Sequence, residues 1–210
     1  MTGLAVVVPT HGRPLRLRWL LNALEEAEDP GEPWEVVIAH NAGDRPAAEL
    51  LAERGTRTVV LPDGAGPAAL RNAGWQSTDA SLIVFTDDDC RPPPSWLREL
   101  AGAARANPGA VVQGATHPDP DELGVFQRAP HARSQQIDPP HVMAQTCNIA
   151  YPRAVLEAAG GIDESFPQAV GEDTDLALRA RAAGAPYVAA PAALTYHAVD
   201  WGLVRRIRGS

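Results

Sequence analysis

Four short apolar runs, each closed by a polar loop that opens a helical pattern, restrict this chain more than any other feature. Leu4 to Val8, Trp34 to Ala39, Thr58 to Leu61 and Ser81 to Phe85 are rich in Val, Ile and Leu and bounded by polar residues or proline. Between the first two, Leu17, Leu20, Leu21 and Leu24 recur at helical spacing. Further helical stretches run from about Pro46 to Arg54 and from Pro67 to about Gln76. Strands that are apolar throughout are buried on both faces. Their alternation with helices predicts an α/β fold: a Rossmann-like, mostly parallel central sheet flanked by helices in a single domain. A chain of 210 residues is long enough to bury such a core.

In an open α/β sheet, ligands sit beyond the carboxyl ends of the strands. The first strand ends at Pro9 and leads into Thr10-His11-Gly12-Arg13-Pro14; the second ends in His40-Asn41-Ala42-Gly43-Asp44. The fourth, in SLIVFTDDDCR, delivers Asp87, Asp88 and Asp89. Alternation along extended backbone sends Asp87 and Asp89 to one side and Asp88 to the other. Carboxylates this close repel, so they serve either as hard oxygen ligands for a divalent cation or as a solvated acidic turn before the next helix. Gly64-x-Gly66-x-x-Ala69 has the outline of a dinucleotide fingerprint. It follows the third strand instead of the first, and three aspartates stand where one acidic residue is expected, which argues against that use.

Downstream, Trp96 to Ala106 reads as a helix with Trp96, Leu97 and Leu100 inward, and Ala110 to Ala115 as a strand. From Thr116 to His141 the pattern breaks into five prolines and three histidines, a long loop or lid. Order returns over Val142 to Tyr151, then a helix at Pro152 to Ala159 and the turn Gly160-Gly161-Ile162-Asp163-Glu164. Glu172, Asp173 and Asp175 open a helix over Leu176 to Ala183, where acidic residues also suit the helix dipole. Pro186 to Ala190 reads as a last short strand, followed by Thr195-Tyr196-His197.

The formal net charge of -8 speaks against a nucleic-acid binder held by phosphate contacts. Every basic residue is Arg, so lysine Schiff-base chemistry is ruled out. Cys90 and Cys147 have no CxxC or zinc-ligand spacing and read as small buried fillers in a reduced, cytoplasmic compartment. The end, WGLVRRIRGS at 201–210, is a basic tail that either frays or touches anionic lipid at the inner face of a membrane.

Taken in order, five pieces resemble the family 2 inverting glycosyltransferases of the GT-A fold: Val7-Val8-Pro9-Thr10-x-x-Arg13-Pro14, Gly66-x-x-x-Leu70-Arg71-Asn72-x-Gly74, Asp87-Asp88-Asp89, Gly160-Gly161-Ile162-Asp163-Glu164, and Glu172-Asp173 before a helix. The resemblance spans about Leu4 to His197. It implies a nucleotide-binding half over about 1–115, a loop or lid over 116–141 and an acceptor-side half over about 142–200. By the same resemblance Pro9, Thr10, His11 and Arg13 hold the nucleotide, with His11 placed to stack on the base. His40 stands where the family usually has an Asp for the base, with Asp44 as a substitute. Arg71 approaches the base or diphosphate, Asp87 the ribose or the metal, and Asp88 belongs to the same nucleotide-sugar set. Asp89, with Asp87 and His197, holds Mn or Mg. Asp173 is the implied general base and Glu172 its orienting partner, while Asn148 and the Gly160-Gly161 turn lie near the donor sugar. The implied donor is a nucleoside-diphosphate sugar, UDP-linked by preference, with GDP- or dTDP-sugars as alternatives, and the acceptor is a glycan, lipid or small molecule. A nucleotidyltransferase of related fold and a non-catalytic sugar-nucleotide-binding relic are the rival readings.

Overall fold

The computed structural model describes residues 3–129, 131–166 and 170–200, so the basic tail at 201–210 lies outside the described residues. The elements follow the expected alternation: β1 (Leu4–Thr10), α1 (Pro14–Glu25), β2 (Trp34–Asn41), α2 (Arg45–Arg54), β3 (Arg57–Leu61), α3 (Pro67–Gln76) and β4 (Leu82–Thr86). They continue with the two-residue β5 (Cys90–Arg91), α4 (Trp96–Ala106), β6 (Val111–Pro118), a 3-10 turn at Pro120–Glu122 and the short α5 (Leu123–Phe126). β7 (Asn148–Pro152), α6 (Arg153–Ala159), α7 (Glu172–Ala182) and β8 (Tyr187–His197) complete the chain.

One eight-stranded sheet runs in the order β3-β2-β1-β4-β7-β6-β8-β5. β1 pairs in parallel with β2 and β4, and β2 with β3. The sheet is mixed, because β7 is antiparallel to both β4 and β6, and β5 to β8. Side chains of β1 alternate between two apolar layers. Leu4, Val6 and Val8 face Leu17, Leu20, Leu51, Trp96 and Leu100 of α1, α2 and α4. Ala5 and Val7 face Trp75, Leu156, Leu176 and Ala180 of α3, α6 and α7. Two buried faces are the physical reason these strands are apolar without alternation. Gly74, in the Arg71-Asn72-x-Gly74 motif, lets α3 approach this sheet: a Cβ there would stand 2.5 Å from Val7 Cγ1.

Two expectations need correction. The order expected over Val142 to Tyr151 is strand only from Asn148 onward. The short strand expected at Pro186 to Ala190 is the first part of one strand reaching His197. The interruption that divides it is a register shift against β6: Gly114 pairs with Ala190 but Ala115 pairs with Leu194, leaving Pro191, Ala192 and Ala193 bulged out. Proline donates no ladder hydrogen bond, so a bulge is where a sheet accommodates it. Asn148 fills the gap. Its Nδ2 donates to Ala115 O (2.6 Å) and Ala193 O (2.8 Å), and its Oδ1 accepts from Trp96 Nε1 at 2.8 Å. The amide that the family resemblance placed near a donor sugar is therefore committed to holding the bulge.

Segment 116–141 is anchored rather than loose. β6 extends three residues past Ala115, to Pro118, alongside β8. Ile137 is buried with Cys90 and Cys147 and bridges to Thr116. Arg91 grips Asp119 with two parallel hydrogen bonds of 2.8 and 2.6 Å, and Glu122 joins Arg16 of α1 (2.6 Å) to the backbone N–H of Val199 (2.7 Å). Both cysteines are buried free thiols, and burial raises both above the usual thiol range.

Candidate active site

The three aspartates occupy the turn between β4 and β5. β5 is short, but its pairing of Cys90 with His197 sets the end of β8 beside Asp89, and Ala198 N donates to Asp89 O at 2.9 Å. Ligand atoms of Asp87, Asp89 and His197 consequently lie within 4.8 Å of one another. His197 Nδ1 is 2.8 Å from Ala198 O. A carbonyl only accepts, so Nδ1 carries a proton, and Nε2, 3.5 Å from Asp89 Oδ1, is the ring nitrogen turned toward the carboxylates. Asp89 Oδ1 is buried with no hydrogen-bond partner.

Two arginines frame the cluster. Arg71, buried on α3, places Nη2 at 2.6 Å from Asp87 Oδ1 and Nη1 at 3.5 Å from Glu172 Oε1. Burial alone would raise the Asp87 carboxyl, but Arg71, His197 and Arg13 together hold it below the ordinary range. Arg13, from the loop after β1, pairs through Nη1 with Asp89 Oδ2 and through Nη2 with Asp88 Oδ1 at 2.6 Å. Asp88 is fully buried and accepts from Thr10 Oγ1 at 2.6 Å. Burial, with Asp89 and Asp87 nearby, pushes Asp88 up to about 7 against the opposing pull of Arg13 and Thr10. Asp88 and Thr10, both expected at the nucleotide, thus brace each other inside the protein.

These residues fit a divalent cation. Four acidic residues, Asp87, Asp88, Asp89 and Glu172, face two guanidiniums, and the ligand atoms of Asp87, Asp89 and His197 that lie together include a buried Asp89 oxygen without a hydrogen bond. Carboxylate oxygens suit a hard divalent cation, and the imidazole adds one nitrogen ligand.

Pro9 is buried on β1, and Thr10 pairs with His40 across β1 and β2, placing both at the same sheet edge. His11 is exposed, whereas His40 is buried with Nδ1 at 2.9 Å from Asn41 O. Asp44 accepts from Gly12 N (2.7 Å) and from Ala47 N (3.3 Å), so it caps α2 and pins the loop carrying Arg13. At the other side, Gly171 in the left-handed region (φ 97) starts α7 and turns Glu172 inward. Burial raises Glu172 above its ordinary value, and its Oε2 has no partner. Asp173 is half-buried and accepts from the N–H of Thr174 at 2.8 Å. Asp175 pairs with Arg179 one turn on, at 2.6 Å, and is structural. Asn72 explains two sequence motifs at once. It donates to Ile162 O (2.7 Å) and Glu164 (2.8 Å) and accepts from Ile162 N (3.0 Å), docking the Gly160 to Glu164 turn on α3. The Arg13 bridge and the Arg91 grip on Asp119 carried no sequence signal, since each joins residues that nothing in the local pattern links.

The model of the family described as "Glycosyl transferase family 2" matches residues 5–160. The chain belongs to glycosyl transferase family 2. A curated member, validoxylamine A glucosyltransferase of Streptomyces hygroscopicus subsp. limoneus, is 27% identical over 95% of this chain and 51% of its own length. The pre-mycofactocin glycosyltransferase of Mycobacterium tuberculosis is 29% identical over 91% of this chain and 42% of its own. The chain spans about half the length of these curated relatives. Among solved structures, S. aureus TarS 1-349 in complex with UDP-GlcNAc superposes with TM-score 0.73 at 19% identity, covering 94% of this chain and 58% of that one. The mannosyltransferase PcManGT of Pyrobaculum calidifontis, in complex with GDP-Man and Mn2+, gives TM-score 0.70 at 18% identity over 98% and 59%. These likenesses establish the GT-A fold. No helix among the described residues is long and apolar enough to cross a membrane.

Proposed function

We propose that this family 2 chain transfers a sugar from a nucleoside-diphosphate donor, a UDP-sugar by preference, to an acceptor hydroxyl with inversion at the anomeric carbon. The observation that carries this reading is Arg71: one guanidinium touches Asp87 of the β4 cluster and Glu172 at the start of α7, so both carboxylate groups border one cleft. Asp87, Asp89 and His197 would hold Mn or Mg, which supplies charge neutralisation for the departing diphosphate. His11 and Arg13 border the edge where the nucleotide would lie, the buried Pro9, Thr10 and His40 support that edge from within, and Arg71 stands within reach of the phosphates.

Asp173, at the exposed end of the acidic pair, takes the proton of the acceptor hydroxyl as its oxygen attacks the anomeric carbon opposite the leaving group. A single displacement inverts that centre. Glu172 is more deeply buried and orients Arg71. UDP-GlcNAc in TarS and GDP-Man in PcManGT support a nucleotide-sugar donor without choosing the base. The test is a thermal-shift panel of UDP-, GDP- and dTDP-sugars with and without Mn2+, since a ligand that binds only the folded state raises its apparent stability. A metal-dependent rise with one nucleotide class is expected. A flat response across the panel would remove the donor assignment.

A further inference from the structure

We propose that Arg13 is a resident counter-ion at the cation position, and that a divalent metal enters by displacing its guanidinium from Asp89 while Asp88 keeps hold of it. The inference rests on the reading that Asp87, Asp89 and His197 bind the metal.

The two framing arginines differ in freedom. Arg71 is nearly enclosed and is held between Asp87 and Glu172, two groups on separate elements. Arg13 comes from a loop, its side chain is 39% exposed, and both its partners are adjacent residues of one turn. Asp88 is itself fixed by Thr10 at 2.6 Å. It therefore serves as a tether on which the guanidinium pivots when its other fork gives way.

Asp89 shows the same division. Oδ2 is taken by Arg13, while Oδ1 is buried without a hydrogen bond and stands 3.5 Å from His197 Nε2. A cation seated between Oδ1 and Nε2 competes directly with the guanidinium for this one carboxylate. Once released, the fork is a planar donor pair at the cleft edge, matched to phosphate oxygens. Metal and nucleoside diphosphate would then favour each other's entry, and the bare protein would hold metal weakly.

Surrendering a charged hydrogen bond on metal entry costs roughly ten- to a hundredfold in affinity. Calorimetric titration of MnCl2 into the nucleotide-free protein tests this. Arg13→Gln should bind Mn2+ about tenfold or more tightly than the wild type. Arg13→Lys, whose ammonium cannot span two carboxylates, should fall between them and keeps the question answerable if the glutamine variant fails to fold. Equal Mn2+ affinity in wild type and both variants overturns the inference. Asp89→Ala separates the two readings. If it leaves Mn2+ binding intact, the metal assignment itself fails; if it abolishes binding while the Arg13 variants behave as wild type, only the displacement is wrong.

Discussion

The two acidic groups that meet at Arg71 are built in opposite ways. Around the β4 turn each carboxylate has at least one counter-charge or hydroxyl: Arg71 on Asp87, Thr10 and Arg13 on Asp88, Arg13 on Asp89. At the start of α7, Glu172 Oε2 is unpartnered and Asp173 meets only the backbone and hydroxyl of its neighbour Thr174 in hydrogen bonds. Dense compensation holds the carboxylates still and keeps Asp87 ionised, which suits ligation. Sparse compensation leaves an oxygen available, which suits accepting a proton. Residue type is the same in both places, and the difference lies in what surrounds it.

The sharpest way to break this contrast is to change one acid from each group. Asp173→Asn should lower kcat about 10²- to 10⁴-fold with donor affinity nearly unchanged, whereas Asp89→Ala should weaken metal-dependent donor binding. Calorimetry and turnover on both variants check this, and the reverse pattern would exchange the two roles. Next in size is the link between the groups. Arg71→Met strands two carboxylates at once and should cost about 3–5 kcal/mol of stability by denaturant unfolding; a loss below about 1 kcal/mol would mean the buried pairs are not coupled as described. A scaffold control follows. Gly114→Ala drives a Cβ to 2.3 Å from Ala193 O and 2.5 Å from Asn148 Nδ2. It should cost about 1–3 kcal/mol without altering which cluster does what.

The smallest effect is a pH slope. Glu172 has a raised folded-state pKa, because burial disfavours its charged form. Its stabilisation is complete below the ordinary glutamate pKa and is lost as pH rises through the folded value. Glu172→Gln cannot ionise, so its melting temperature relative to wild type should climb as pH is raised through the range above the ordinary glutamate value. A difference that stays constant across that range would show that Glu172 does not titrate in the folded protein.

Much of this was legible in the sequence. The parallel half follows from runs such as Leu4 to Val8, because burial on both faces leaves a continuous apolar signature. The direction of β7 was not legible. Asn148 to Pro152 looks the same read either way, and only the tertiary path of the preceding segment decides its pairing with β4. β8 was cut short because Pro191 is a valid strand breaker wherever no side chain like Asn148 repairs the ladder. At the site, the convergence of Asp87 and Asp89 follows from local geometry, and His197 came only through resemblance. The Asp88, Thr10 and Arg13 knot is a contact across 78 positions in sequence, which no local pattern encodes.

β8 lies last but one at the far side of the sheet, covered there only by the two-residue β5, and carries His197 at its tip, opposite a turn that belongs to the first half of the chain. A metal seated there would act as a clasp, stitching the last strand to residues a hundred positions earlier. Fraying at that margin and release of the ion would then be the same event, and the backbone amides of Tyr196 and His197 would exchange with solvent more slowly whenever the clasp is shut.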